Sequence, residues 1–185
     1  MSATPLTTTA STARLQQLLP QLFQSDTQPG DRYLKLDISP DLSALIALAD
    51  VQESVQLPTH MVTPIPNLPA CILGVVNSRN QVLCVVDLAQ VLQIPARTVH
   101  RQHYSIVVVH LDSTTGATED ANLLALTLHG IQGIIRLQPE EIESPMSEFA
   151  AELTPFLRGC VVRDGQSIPV LDVNAIATAP ILNSL

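Results

Sequence analysis

Tryptophan is absent from this 185-residue chain, and phenylalanine and tyrosine bring the aromatic share to only 3%. The core must therefore be built from Val, Ile and Leu, and β-branched side chains favour sheets. Charge is also scarce, at 14% of residues against 46% hydrophobic, a globular and not a disordered balance. Positive charge is scarcest: nine Lys and Arg against seventeen Asp and Glu leave a net charge of −8. Phosphate backbones and anionic lipid surfaces need clustered basic residues, and these nine are scattered. Neither nucleic acid nor an anionic membrane is an expected partner. No apolar run approaches the length of a transmembrane helix, so no membrane insertion is expected. No basic stretch followed by an apolar one opens the chain, and the expected location is the cytoplasm. Cys71, Cys84 and Cys160 form no CxxC and lie in apolar contexts. They read as small buried hydrophobes in a reducing compartment.

Catalytic motifs are missing as well. There is no GxxxxGK[ST], GxSxG or HExxH. His100 and His103 lie close together, but "TVHRQHY" holds no cysteine or carboxylate at ligand spacing. Glu140, Glu141 and Glu143 read as a solvated face. The expectation is a binding module with no enzymatic activity, no cofactor and no metal. At this length folding buries roughly 70% of the unfolded surface without a staple.

What the chain does have is strand punctuation. Residues 1–12 are rich in Ser and Thr and read as disordered. In 13–24, "ARLQQLLPQLFQ", Leu15, Leu18, Leu19, Leu22 and Phe23 fall on one helical stripe that Pro20 interrupts. That stripe either packs on its own domain or docks on a partner. "RYLKLDI" alternates as a strand, and "THMVTPIPNLPA" reads as an ordered extended loop. "LGVVNSRNQVLCVVDL" (73–88) reads as a hairpin that launches a short helix, with Asp87 as N-cap and Gln90 at the capping-box position. "YSIVVVHL" is a further strand, "LLALTLHGIQGIIRL" is one strand or two, and "LRGCVVRDGQSIPVLDV" is a second hairpin with a type I′ Asp164-Gly165 turn.

The two hairpins match at a constant offset of 85: Gly74 with Gly159, Val76 with Val161, Gln81 with Gln166 and Asp87 with Asp172. Ahead of them, "VQESVQL" (51–57) matches "IQGIIRL" (131–137) at an offset of 80. Such a repeat predicts two similar small β-barrels that cover each other's apolar surface, the first meeting the second near residues 95–104. In both copies the glycine implies close backbone approach and the aspartate caps a helix.

"PIPNLPACILGVVNSRNQVLCVVDL" (64–88) resembles the signature of the CheW coupling domain: a proline-rich loop, a G-V-x-N-x-R-G hairpin and a (V/I)-D-L helix start. "DVQESV" resembles the family's V-x-E strand, and "LRGCVVRDGQSIPVLDV" its final hairpin. The likeness spans residues 31–178, leaving 1–30 as an extension and 179–185 as a tail. It implies a mainly β fold of two five-stranded, SH3-like barrels about a shared hydrophobic core, with short helices. It also implies a non-enzymatic adaptor that joins methyl-accepting chemoreceptor tips to the regulatory domain of a CheA-type histidine kinase, recruited to receptor arrays that control motility. The alternative is a domain that binds only the kinase or a response regulator. By the same resemblance Val51, Glu53 and Val62 line a receptor-facing groove, and Asn77 and Arg79 fall on the N-x-R. For Val51 and Val62 the rival reading is core packing. For Arg79 it is an ion pair within its own domain that braces the hairpin. Two departures, Ser78 for the family's leucine and Asn80 for its glycine, suggest a divergent paralogue with its own pathway, such as pilus-driven motility.

Overall fold

The computed structural model describes residues 29–79, 81–95, 102–112, 123–144 and 149–182. The expectations for residues 1–28, Asn80, the histidine-bearing connector at 96–101 and the loop at 113–122 lie outside them. Ten strands form in chain order: β1 (Asp31–Ser39), β2 (Leu42–Ala47), β3 (Val51–Pro58), β4 (Ile72–Ser78), β5 (Gln81–Asp87), β6 (His103–His110), β7 (Leu123–Leu128), β8 (Gly130–Leu137), β9 (Leu157–Arg163) and β10 (Gln166–Leu171). Two short helices, α1 (Leu88–Val91) and α2 (Val173–Ala177), follow β5 and β10.

The sheets have the orders β3-β6-β7-β5-β4 and β8-β1-β2-β10-β9. Each order becomes the other when β3, β4 and β5 are exchanged for β8, β9 and β10, and β6 and β7 for β1 and β2. The parallel contacts also correspond: β5 beside β7, β10 beside β2. Both sheets close in the same way. The chain leaving β3 bridges back to β4 at Thr63–Val75, and the chain leaving β8 bridges to β9 at Glu143–Cys160. The Asp87 N–H donates to the Cys71 carbonyl and the Asp172 N–H to the Phe156 carbonyl, both at 2.8 Å and again 85 residues apart. The repeat read from sequence is thus a repeat of structure, and the mainly β fold of two five-stranded barrels is the one expected.

The division of the chain between the barrels is not the one expected. The sequence places their meeting near residues 95–104, but one barrel holds β3 to β7 and the other joins both chain ends, β1 and β2 with β8 to β10. The chain crosses between barrels at Leu48–Asp50 and at His129. "LLALTLHGIQGIIRL" is therefore two strands in two barrels, and Gly133 sits inside β8 at an irregularity in its pairing with β1.

Three apolar clusters follow from this arrangement. Val76, Leu83, Val85, Ile106, Val108 and Ala125 fill one barrel, and Tyr33, Leu45, Leu137, Val161, Ile168 and Val170 fill the other. Between the barrels, Leu34, Leu36 and Ile46 of one meet Val107, Leu126 and Leu128 of its neighbour, with α1 and α2 at the margins. Strands β6 and β7 bury both faces, which is why they read as unbroken apolar runs and not as alternating ones.

Candidate partner-binding surface

The tip of the β4–β5 hairpin is braced from β3. Arg79 Nη2 lies 2.8 Å from Glu53 Oε2, and the Ser78 hydroxyl donates to Glu53 Oε1 at 3.5 Å. Two sequence candidates from distant segments thus form one feature, which is the intradomain pairing weighed as the rival reading of Arg79. The arginine side chain nevertheless stays 76% exposed, so the pair contributes no more than about 1 kcal/mol to stability. Its backbone is left-handed, with φ 47°, as is that of its counterpart Asp164, at 53°. Aspartate tolerates that conformation well and arginine poorly. An arginine kept at a position its backbone disfavours, with most of its guanidinium in solvent, is a local inconsistency of the kind found at functional sites. Asn77 is exposed on β4 opposite Val82, itself 71% exposed. The pair extends this surface along the hairpin.

Val51 and Val62 separate. Val62 is buried inside the β3–β7 barrel and is core, not groove. Its Thr59–Met61 turn tucks it under the barrel before Thr63 pairs with β4. Val51 packs against the cluster between the barrels. Opposite it stands Val109, and Val107 stands opposite Ser54. Cross-strand partners share a face, so Val51, Ser54 and Gln56 point toward the other barrel while Val55 and Leu57 point inward. The same logic on β8 pairs Ile131 with Leu36 and Ile134 with Leu34. The shift at Gly133 is what lets residues three apart share that face. Ile131 and Ile134 therefore continue the inter-barrel core outward, and there they are 42% and 56% exposed. Between β3 and the β7–β8 crossing lies a cavity of about 420 Å³ lined by Ser54, Val55, Gln56, Ser105, His129, Gly130 and Ile131. The offset of 80 pairs Val51 with Ile131 and Ser54 with Ile134, so the second wall was visible in the repeat although only β3 was singled out.

The four residues assigned to the scaffold occupy equivalent places. A Cβ on Gly74 would lie 2.2 Å from the Thr63 carbonyl oxygen, and one on Gly159 would lie 2.6 Å from that of Glu143. Asp87 caps α1 by accepting from the Gln90 N–H at 3.2 Å, and Asp172 caps α2 by accepting from the N–H groups of Asn174 and Ala175. Gln90 does not complete a capping box, because the Asp87 N–H is already committed to Cys71. Its amide instead donates to the Asp87 carboxylate at 3.0 Å. Burial pushes the Cys71 and Cys84 thiols above their ordinary range, in keeping with inert apolar packing.

A polar cluster that the sequence did not announce ties the barrels together. Arg158 of β9 reaches Asp50 at 3.4 Å and Asp172 at 3.6 Å, while Asn174 and Asp112 exchange two hydrogen bonds. Asp50 Oδ2 is buried, and although it contacts Arg158 it accepts no hydrogen bond among the described residues. Burial raises the Asp50 carboxyl above the ordinary aspartate range, Arg158 and His110 oppose the rise, and Asp112 and Asp172 add to it. A raised folded-state value means that the folded protein holds this proton more tightly than the unfolded chain. Asp50 therefore costs stability as pH climbs from about 3.9 through its folded value. Asp50→Asn is expected to gain on the natural protein across that window and to hold a constant difference above it, read by urea unfolding at successive pH values. A pH-independent difference would refute this.

Among the described residues no helix is long and apolar enough to cross a membrane, and no group of His, Cys, Asp and Glu is placed to hold a metal ion. The chain is 26% identical over 115 residues to the chemotaxis protein CheW of Rhizobium meliloti strain 1021, an alignment covering 62% of this chain and 68% of that one. Its structure is similar to the scaffolding protein TtCheW of Thermoanaerobacter tengcongensis, with a TM-score of 0.69 at 19% identity, covering 85% of this chain and 99% of the other. The model of the CheW-like domain matches residues 37–180, nearly all of both barrels, and the chain belongs to that family.

Proposed function

We propose that this protein is a chemosensory scaffold that couples a methyl-accepting receptor to the regulatory domain of a CheA-type histidine kinase at receptor arrays. The observation that carries the reading is strand β3, which lines the groove between the barrels through Ser54, Val55 and Gln56 and at Glu53 holds the brace that presents Arg79. A helical hairpin offers an apolar face for Val55 and Ile131 in such a groove, and an exposed guanidinium pairs with a carboxylate or carbonyl of a partner. The kinase side falls to the β4–β5 hairpin with Asn77 and Val82, where a similar barrel end can dock. Names of relatives support the chemosensory setting, one being a chemotaxis protein and the other a scaffolding protein.

Pull-down with receptor and kinase fragments tests the reading, and capture of neither ends it. The charge pair sharpens the test. Arg79→Glu sets two carboxylates together and is expected to weaken receptor capture at least tenfold. Glu53→Arg with Arg79→Glu restores an ion pair of reversed order. If Arg79 touches the receptor itself, the double variant stays defective; full rescue makes the pair a brace alone. Kinase capture that persists with receptor capture absent in the natural protein selects the kinase-only alternative.

A further inference from the structure

We infer that the outer face of β8 seats a partner helix of fixed pattern, with two apolar residues four apart and a carboxylate four further on, in that order or the reverse. These three meet Ile131, Ile134 and the Arg136–Arg32 pair. The inference deepens the scaffold reading above, on which that helix is one of the receptor's.

The strip follows from the pairing of β8 with β1. Ile131 stands opposite Leu36, Ile134 opposite Leu34 and Arg136 opposite Arg32, and cross-strand partners share a face. The shift at Gly133 fits three steps of β8 against two of β1, so the three side chains stand at even intervals of roughly 7 Å along the sheet. Leu34 and Leu36 are buried between the barrels, whereas Ile131, Ile134 and Arg32 are exposed and Arg136 is partly so. β8 is also an edge strand of its sheet. Ile131, at one end of the strip, lines the cavity beside β3.

The charge on the strip says what covers it. The chain has nine Lys and Arg against seventeen Asp and Glu, yet two arginines stand directly opposite each other here. Like charges so placed work against sheet pairing. Arg32 has no ion pair among the described residues, and the neighbouring Asp31 stands opposite Leu137, on the other face. An arrangement that costs the free protein stability points to a carboxylate from outside, which adjacent guanidinium groups hold through charge-assisted hydrogen bonds. The spacing names the element. A lone strand would pair its backbone at the sheet edge and not on this face, whereas a helix satisfies its own backbone and docks by side chains. Its rise of about 1.5 Å per residue sets residues four apart at about 6 Å, close to the interval of the strip.

Arg32→Glu separates a binding role from a structural one. The change turns a like-charged pair into an ion pair across the strands, so the melting temperature is expected to rise by roughly 1–3 °C. Capture of a receptor helical-hairpin fragment is expected to fall at least tenfold, and Ile134→Asp, at a solvent-facing position, is expected to match that loss. A synthetic helical peptide with leucines at i and i+4 and glutamate at i+8 tests the strip without the receptor. It is expected to shift the methyl resonances of Ile131 and Ile134, and a peptide with lysine at i+8 to bind at least tenfold more weakly. Arg32→Glu with Arg136→Glu is expected to reverse that preference. Absent peptide binding, indifference to the charge at i+8, or loss of stability together with binding in Arg32→Glu would each overturn the inference. So would resonances that shift with protein concentration alone, in favour of a second copy, or equal binding to phosphatidylglycerol vesicles, in favour of a membrane surface. A receptor fragment that fails to bind the natural protein overturns the scaffold reading, while the peptide still decides the strip. A fragment that binds the natural protein and Arg32→Glu alike overturns the inference alone.

Discussion

Gly74→Ala is expected to lower the melting temperature by about 10 °C, the largest loss from any single added methyl group. Two terms combine. The backbone at Gly74 has φ 144°, a region closed to L side chains, which costs about 1–3 kcal/mol. The new Cβ would also sit 2.2 Å from the Thr63 carbonyl oxygen and 2.9 Å from the Pro64 Cα. Both obstacles are backbone and cannot rotate away, so Thr63 must withdraw from its bridge with Val75. That bridge closes the barrel. Together the terms come to about 3–4 kcal/mol, and each kcal/mol moves the midpoint by roughly 2–4 °C in a chain of this size. Gly133→Ala is the control. Its φ is 151°, but nothing lies within 4 Å of the added carbon. It is expected to lose only the conformational part, about 1–3 kcal/mol. Equal losses at the two sites, measured by thermal unfolding, would show that the carbonyl contact is immaterial.

The same glycine shows what was legible in the sequence. Both hairpins, their turns, their capping aspartates and their glycines could be read because each is fixed by chemistry within a few residues. Asp164-Gly165 names its turn, and Asp87 and Asp172 name their helices. The matching offsets then gave two barrels. Which strands join which barrel could not be read, because β1 pairs with β8 across about a hundred residues and apolar periodicity carries no address for a partner. The site divides in the same way. Glu53 and Arg79 were both singled out, but not as each other's partner. Val62 reads as a groove residue by resemblance and lies in the core, since an apolar residue next to a proline-rich loop reads alike in both settings. Ile134 was missed because its outward turn depends on a register shift between strands.

Leu126→Ala is expected to destabilise both barrels by the same amount, about 2–5 kcal/mol, although Leu126 belongs to only one of them. The side chain is fully buried in the cluster between the sheets, where Leu36 and Ile46 come from the other barrel. Neither barrel keeps this face dry alone. The barrel of β1, β2 and β8 to β10 is moreover assembled from the two ends of the chain, so the barrel of β3 to β7 must form for its strands to meet. Cooperative unfolding in one step follows from that topology and not only from the buried area. The chain provides its own probes, since it has no tryptophan and two tyrosines. Tyr33 packs in one barrel and Tyr104 against the core of the other. In Tyr104→Phe the fluorescence reports the first barrel, and in Tyr33→Phe the second. Both transitions are expected to coincide in the parent backgrounds and to shift together when Leu126→Ala is added. A Tyr33 transition that stayed in place while that of Tyr104 moved would mean that the barrels are stable units in contact, and the cluster between them would then be a docking face and not a shared core.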